Sequence, residues 1–295
     1  MDEKKVTTTV RDFYDKIGWQ IDESGMYQNA SYEDLRPVSA EYIHRCHMRV
    51  KRHLPAQGAY LLDAGSGPVQ YSEYVTYSEK FQRRICFDLS IVALREARKK
   101  LGEKGFYVVG DVSSLPFRKN AFDGIVSLHT IHHLPLDAKV PTYVGLYQCL
   151  KPGGVMATVD GWGYSPLMSL MNRYISFRHS QNEKKLHTNK PLSRVDGNSG
   201  VETSARNSNQ NQNQVKAGTF VEKSDAKWFK TAINGRLPFK IRVWRSVSTR
   251  FLRSMIHPEH HGRFWLKCIY CLEEIFPRFL GENGSYPLIT FRKPK

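Results

Sequence analysis

The chain has 295 residues, of which 40% are hydrophobic and 12% aromatic, enough apolar material for a sizeable core. No apolar run approaches the roughly 18 residues of a membrane span, and the charged start predicts no signal peptide, so we expect a cytoplasmic protein. Five scattered cysteines make no plausible disulfide framework. The net charge is +16, with 24 Lys and Arg against 10 Asp and Glu after residue 150, and favours an anionic partner.

Residues 1–56 precede the first strand-like run and predict an N-terminal helical cap. Two helix-like stretches, VRDFYDKIGW and SAEYIHRCHMRVKRHL, flank an aromatic loop. Tyr14, Trp19 and Tyr27 are candidates to close over a bound ligand, although aromatic residues in a cap more often only pack.

Apolar runs of strand length alternate with helix-length segments through residues 57–178, which predicts an α/β core domain. The runs are AYLLDA, RRICFDL, FYVVGD, FDGIVSLH and GGVMATVD, and LPFKIRVWRSVS and SYPLITFRKP follow later in the chain. Their almost continuous apolar character is typical of strands that are covered on both faces. We therefore predict a doubly wound, mostly parallel, seven-stranded sheet.

The first of these strands ends in a glycine-rich turn, where Asp63, Gly65 and Gly67 follow a D-x-G-x-G spacing. Glycine permits unusual backbone angles and the close approach of a ligand, while free N–H groups at a helix start bind polar or anionic groups. An ordinary strand-to-helix turn can have the same spacing, so the turn by itself does not identify a ligand.

Acidic residues also follow the next two strands. Asp88 closes the second strand 23 residues after Gly65, close to the offset of an acid that binds a ribose diol, and Asp111 closes the third. Each acid alone is equally compatible with a helix cap. Acids at the ends of three successive strands together favour a nucleoside-binding site at this edge of the sheet.

Four stretches of the chain resemble class I S-adenosylmethionine-dependent methyltransferases, particularly the quinone-biosynthesis-like, type 11 branch. They are LLDAGSGP, ICFDLS, VVGDVSSLPFRKNAFDGIVSLHTIHHL and LYQCLKPGGVMATVD, and SYPLITFRKPK is similar to the last antiparallel strand of that family. The resemblance covers residues 57–162 well and implies a Rossmann-like fold with S-adenosyl-L-methionine as the cofactor.

The resemblance also implies a set of site residues. It places Asp88 on the ribose, the glycine-rich turn around the methionine moiety and Asp111 at the adenine. The cofactor-binding residues that it implies are Asp63, Gly65, Gly67, Asp88, Leu89, Asp111, Val112 and Leu128.

Two residues of the turn depart from related patterns. Val69 stands where the methyltransferase family often has a third glycine, so we expect a stiffer loop or a different helix start. Gln70 stands where the dinucleotide fingerprint requires glycine or alanine, which argues against a nicotinamide cofactor.

Three histidines, His129, His132 and His133, end the fourth strand, where a methyl acceptor would lie. Methyl transfer depends mainly on positioning and needs a base only if the acceptor must lose a proton. Neutral imidazole suits that task, so His133 and then His129 are the catalytic candidates, although structural packing of the IHHL run is the commoner explanation.

A second collection of histidines and cysteines lies near the C-terminus, and we predict that it binds no metal. His257, His260 and His261 precede Cys268 and Cys271, but the two cysteines fall at i and i+3 of an apolar helix and are expected to face the core. Zinc sites usually join a C-x-x-C knuckle to distant ligands.

The remainder of the chain divides into an insertion and the end of the core. Residues 179–218 form a polar tract without an aromatic residue, which predicts a low-complexity, disordered insertion. Residues 219–295 complete the core with a long amphipathic helix, 262–280, and with the last strand. The helix is predicted to be a lid, although its apolar face is more simply explained by packing on the core.

The predicted function is methyl transfer from S-adenosyl-L-methionine to O, N or C of a small-molecule or lipid-like acceptor. The basic second half is compatible with an anionic acceptor and with peripheral membrane contact. A less favoured alternative is an RNA methyltransferase similar to the tRNA wobble-uridine enzymes, for which the chain shows no recognisable RNA-binding module. A second alternative is a non-catalytic cofactor-binding protein of the same fold. The sequence leaves open the acceptor, any general base and the oligomeric state.

Overall fold

A seven-stranded sheet forms the centre of the computed structural model, which describes residues 3–23, 25–188 and 219–295. The strands are β1 Gly58–Ala64, β2 Phe81–Asp88, β3 Gly105–Val109, β4 Phe122–Leu128, β5 Leu150–Val159, β6 Phe239–Arg245 and β7 Tyr286–Arg292. Their order in the sheet is β3-β2-β1-β4-β5-β7-β6. Neighbouring strands from β1 to β5 are parallel, whereas β7 runs antiparallel to both β5 and β6. The mostly parallel, doubly wound sheet predicted from the sequence is confirmed.

Helices cover both faces of this sheet. They are α1 Glu3–Phe13, α2 Ala40–Lys51, α3 Ser72–Thr76, α4 Ile91–Leu101, α5 Leu136–Cys149, α6 Pro166–Thr188, α7 Ala226–Ile233, α8 Thr249–Met255, α9 Gly262–Ile275 and α10 Pro277–Asn283. Helix α4 begins as its sequence predicts, because the Ser90 hydroxyl accepts a hydrogen bond of 3.0 Å from the backbone N–H of Ala93.

Two apolar clusters enclose the sheet. Leu61, Val126 and Ala157 face one cluster, which also contains the buried side of α2, and Leu62 and Ile125 face the other, beneath α5 and α7. Successive residues of one strand thus point to opposite covered faces, which explains the nearly continuous apolar runs in the sequence. The carboxyl ends of the parallel strands are therefore held rigidly along one edge.

The predicted insertion and the predicted lid helix differ from the structure in part. Helix α6 continues to Thr188, so residues 179–188 are helical, and residues 189–218 lie outside the described residues. The predicted helix 262–280 is broken at Phe276, which leaves helical backbone angles ahead of Pro277. Helix α9 packs on the core through Leu266 and Tyr270, and no residue of 262–280 lines the cavity described below.

The cysteines are free thiols, but two of them lie elsewhere than predicted. Cys268 is half-buried and Cys271 is exposed, because the core-facing side of α9 is formed by Leu266, Tyr270 and Glu273. No group of three or more His, Cys, Asp or Glu side chains within the described ranges is arranged to hold a metal ion. None of the helices in those ranges is both long enough and apolar enough to cross a membrane.

Candidate cofactor and acceptor site

The turn after β1 has left-handed backbone at three positions. Gly65 has φ of +74° and Gly67 has φ of +53°. A Cβ atom on Gly65 would lie 2.2 Å from the side chain of Thr130, and one on Gly67 would lie 3.0 Å from the ring of Trp19. Val69 follows with φ of +50°, although its side chain is β-branched and fully buried. Val69, at the position where the methyltransferase family often has a third glycine, thus adopts the left-handed backbone that glycine favours.

Asp88 holds this turn from the end of β2. Its Oδ2 accepts a hydrogen bond of 2.8 Å from the backbone N–H of Gly67, and its Oδ1 accepts one of 2.8 Å from Ser90. Burial raises the pKa of Asp88 to about 6, against the effect of these two hydrogen bonds. The carboxylate lines a cavity and retains free lone pairs, so it can accept further hydrogen bonds from a ligand.

The N-terminal cap closes over the same edge of the sheet. The Thr7 hydroxyl of α1 donates a hydrogen bond of 2.8 Å to Asp111 at the end of β3. The Ser90 hydroxyl donates to Asp15, and the ring of Tyr14 stacks on Trp19 at a centroid distance of 5.0 Å. The lid over this cavity is therefore the N-terminal helix and the turn after it, and not helix 262–280. Of the three cap aromatics named from the sequence, Tyr14 and Trp19 line the cavity and Tyr27 does not.

The resulting cavity combines carboxylates with apolar walls. Seven of the eight predicted cofactor-binding residues line it, namely Gly65, Gly67, Asp88, Leu89, Asp111, Val112 and Leu128. Asp63 does not. Its carboxylate lies buried beneath the turn and pairs with the guanidinium of Arg84, which joins β1 to β2. We assign Asp63 to the support of the turn rather than to the cavity wall.

The cavity fits an adenosyl group with a charged tail. Carboxylates at the ends of β2 and β3 match the hydroxyl and amino donors of a nucleoside, and the apolar walls of Phe87 and Val112 match its base. The indole N–H of Trp19 is buried beside the glycine turn and has no hydrogen-bond partner in the described part of the chain. An anionic tail at the turn would satisfy this donor.

His129 and His133 both line the cavity, but their surroundings differ. His129 has φ of +55°, and its ring packs edge-on against Trp244 at 5.2 Å and Tyr286 at 5.8 Å. Burial lowers the pKa of His129 to about 3. His129 is thus a neutral aromatic side chain in the wall between the cofactor cavity and a neighbouring one.

His133 lies in a hydrogen-bonded chain that fixes its tautomer. Its Nδ1 lies 2.7 Å from the carbonyl oxygen of Phe220, which can only accept, so Nδ1 carries the proton. Its Nε2 is then an acceptor and receives a hydrogen bond of 2.8 Å from the Tyr14 hydroxyl. Burial lowers the pKa of His133 to about 3, and burial raises the pKa of Tyr14. Both groups are neutral at pH 7.

A second cavity adjoins the first. The residues that line both cavities are Tyr14, Asn29, Gln70, Tyr74, His129 and His133. Aromatic rings dominate the second cavity, and two cations reach it. Arg245 is paired with Glu33 in its wall, whereas Lys223 has no ion pair with any described acid. His132, the third histidine of the run, bonds through Nδ1 to Asp160 at 2.7 Å.

Several residues of the site escaped the sequence analysis. Thr7 and Asn29 lie in the cap, where their spacing carries no pattern. Arg245 carried a usable signal, because a charged residue within the apolar strand VWRSV needs a buried partner. That partner, Glu33, is 212 residues away in sequence and could not be identified without the fold.

A family model described as a methyltransferase domain matches residues 62–158, from β1 to β5. The match spans about a third of the chain and assigns a methyltransferase domain to its core. The matched range contains the glycine-rich turn, both strand-end acids of the cavity and the histidine run. The cap, helix α6 and everything after it lie outside the match.

Relatives of the methyltransferase domain differ widely. A sterol 24-C-methyltransferase from Pneumocystis carinii is 36% identical over 63 residues, which are 21% of this chain and only 16% of that protein. Phosphoethanolamine N-methyltransferase 1 from Haemonchus contortus superposes with a TM-score of 0.55 at 11% identity, over 100% of this chain and 50% of that one. Geranyl diphosphate C-methyltransferase from Streptomyces coelicolor superposes with a TM-score of 0.52 at 16% identity, over 98% of this chain and 97% of that one. At these identities the two structures show the shared fold.

Proposed function

We propose that the chain transfers a methyl group from S-adenosyl-L-methionine to a small-molecule or lipid-like acceptor bound in the second cavity. The observation that carries this proposal is that the two cavities share one wall, which includes Tyr14, His129 and His133. A ligand in the first cavity and an acceptor in the second would meet at these side chains. Such an arrangement supplies the proximity on which methyl transfer mainly depends.

The cofactor, when bound, supplies an electrophilic sulfonium methyl group. Asp88 would accept hydrogen bonds from its ribose hydroxyls, and Asp111 and Val112 would hold the adenine. Gly65 and Gly67, which line the cavity, would border the methionine moiety, with the indole N–H of Trp19 donating to its carboxylate. The cap covers this cavity and would exclude water from it.

Tyr14 is the polar group best placed to orient the acceptor. Its proton points to Nε2 of His133, so its oxygen lone pairs remain available to accept a hydrogen bond from an acceptor N–H or O–H. If the acceptor must release a proton, Tyr14 can take it as its own proton passes to His133. The low pKa of His133 makes this pair a weak base at rest, so orientation is its principal role.

The acceptor cavity favours an aromatic or aliphatic compound with an anionic group. Its aromatic wall suits apolar or onium groups, and Lys223, which pairs with no acid of the described residues, suits a phosphate or carboxylate. Two methyltransferases of the same fold were solved with phosphoethanolamine and with geranyl diphosphate, which are both phosphorylated small molecules. They support a phosphorylated acceptor as the first class to test.

The test uses methyl-labelled S-adenosylmethionine with separate lipid, phosphorylated-metabolite and tRNA fractions. We expect label in a lipid or metabolite fraction and none in tRNA. Label in tRNA alone would replace this proposal with RNA methylation, which the charge of +16 would favour through phosphate contacts. Cofactor binding without label in any fraction would indicate a non-catalytic binding protein.

A further inference from the structure

Helix α9 has two apolar faces. Gly262, Leu266, Tyr270 and Glu273 are buried and pack it on the core. The opposite side of α9 and the start of α10 present large exposed apolar side chains, between 50% and 65% accessible. We call this set the outer apolar face, and its members are Phe264, Trp265, Leu272, Ile275, Phe276 and Phe279.

The periodicity of α9 places these side chains in one stripe. Phe264, Leu272 and Ile275 are separated by eight and three residues, which brings them to the same side of a helix with 3.6 residues per turn. The rings of Phe264 and Trp265 contact each other edge-on at 5.5 Å. Six large apolar side chains exposed within 16 residues indicate an interaction surface rather than scattered surface residues.

Basic residues border the stripe on one side. Arg263 and Lys267 lie one turn apart, beside a groove between α2 and α9 that Arg45 also lines. Glu41 is the acidic residue of that groove, and it already pairs with Arg45 at 2.6 Å. Arg263 and Lys267 form no ion pair with an acid within residues 3–23, 25–188 and 219–295. The groove therefore carries cations without counterions beside the apolar stripe.

We infer that the outer apolar face and its basic border dock this protein on an anionic lipid bilayer. A helix with exposed aromatic residues and Lys or Arg along one flank is the kind that lies in the plane of a membrane interface. The excess of positive charge after residue 150 complements an anionic surface. This inference does not depend on the proposed methyl transfer, because it concerns α9 and α10, which line neither cavity of the site.

Two other occupants of the face fit less well. A second copy of the chain, packed through the same face, would bring the unpaired Arg263 and Lys267 of both copies close together, which repels. Residues 189–218 contain no aromatic side chain and offer four aliphatic ones, Leu192, Val195, Val201 and Val215. That sequence is poorly suited to cover six large apolar side chains.

The test measures sedimentation of the whole protein with vesicles, without cofactor. We compare vesicles of phosphatidylcholine with vesicles that also contain phosphatidylglycerol. The apolar variant is Phe264→Ser with Trp265→Ser, and the basic variant is Arg263→Gln with Lys267→Gln. Matched controls on a distant surface are Phe106→Ser, whose ring is 49% accessible, and Arg95→Gln on α4. Thermal unfolding verifies that each variant is folded.

We expect binding to anionic vesicles that weakens with salt, and much weaker binding to phosphatidylcholine. The basic variant should lose about 25-fold in partitioning, since each cation near the surface contributes about fivefold. The apolar variant should lose at least about tenfold, and both controls should bind as the parent does. Tryptophan fluorescence should shift to the blue on binding, and Trp265→Phe should bind but lose most of that shift.

Three results would overturn the inference. The first is absence of binding to anionic vesicles, and the second is equal loss of binding in the controls and the α9 variants. The third is a dimer in sedimentation velocity that Phe264→Ser with Trp265→Ser converts to a monomer, which would assign the face to a second copy. Failure of methyl transfer would leave the vesicle measurement unaffected, so the two proposals fail independently.

Discussion

The hydroxyl of Tyr14 donates a hydrogen bond of 2.8 Å to Nε2 of His133, across 119 residues of sequence. This contact joins the N-terminal cap to the end of β4 at the wall between the two cavities. The direction of this hydrogen bond follows from the other ring nitrogen, Nδ1, which donates to the carbonyl oxygen of Phe220 and leaves Nε2 as an acceptor. The sequence predicts His133 as a candidate base. In the proposed mechanism it acts through Tyr14, a residue of the lid.

Replacement of Tyr14 by phenylalanine tests this mechanism. We expect kcat for the labelled acceptor to fall by about a hundredfold, because the ring remains stacked on Trp19 while the acceptor-facing oxygen is lost. The cofactor Kd should change by less than about threefold. Steady-state kinetics and calorimetry make the measurement, with Tyr60→Phe on β1 as the control. An unchanged kcat in Tyr14→Phe would remove Tyr14 from the mechanism.

Asp88→Asn tests the ribose contact. The amide keeps the shape of the side chain but can no longer accept hydrogen bonds at both positions, so we expect the cofactor Kd to rise at least about tenfold, or 1.4 kcal/mol. Calorimetry with S-adenosylhomocysteine measures it, and Asp137→Asn, on the exposed start of α5, is the control. Equal affinity in the parent and Asp88→Asn would contradict the assigned role.

The same carboxylate predicts a pH dependence of cofactor binding. Burial raises the pKa of Asp88 to about 6, so the carboxylate is ionised above this pH and, in the proposed site, would accept hydrogen bonds from the ribose there. As the pH falls through 6, protonation removes an acceptor, and affinity should fall by up to about tenfold per pH unit. Calorimetry between pH 5 and pH 8 should show this loss in the parent and a flat profile in Asp88→Asn. A cofactor affinity that rises as the pH falls toward 5 would contradict this prediction.

Trp19→Phe tests the unpartnered donor of the lid. If its indole N–H donates to the cofactor carboxylate, its loss removes a hydrogen bond to a charged group, worth about 1.5 to 3 kcal/mol. We expect a Kd for S-adenosylhomocysteine about ten to a hundredfold higher. Trp265→Phe, on the outer apolar face, should leave this Kd unchanged. The same Kd in both variants would show that Trp19 only packs.

Val69 offers a test of backbone strain. Because its φ is +50°, alanine at this position should retain a cost of about 1 to 2 kcal/mol that glycine avoids. We therefore expect Val69→Gly to unfold at higher denaturant concentration than Val69→Ala. At Val50, which is equally buried but lies in α2, the order should be the reverse, because glycine destabilises a helix. The same order at both positions would argue against strain at Val69.

The sequence determined the fold class and the cofactor edge, for a local reason. Apolar runs of strand length are local signals, and the ends of parallel strands must meet along one edge, so Asp88, Asp111 and the glycine turn were placed together without coordinates. The same logic placed Asp63 there too. Only the tertiary structure shows that its carboxylate is held by Arg84 from the neighbouring strand.

Contacts between distant segments were decided by tertiary packing alone. The lid is the N-terminal helix because Thr7 and Tyr14 meet Asp111 and His133 across more than a hundred residues, a pairing that no local spacing encodes. Helix α9 has an amphipathic sequence that suits a lid equally well. In the structure, one apolar face of α9 packs on the core beside α2, and the aromatic rings of the other face remain exposed. Tertiary packing decided which of the two faces was buried.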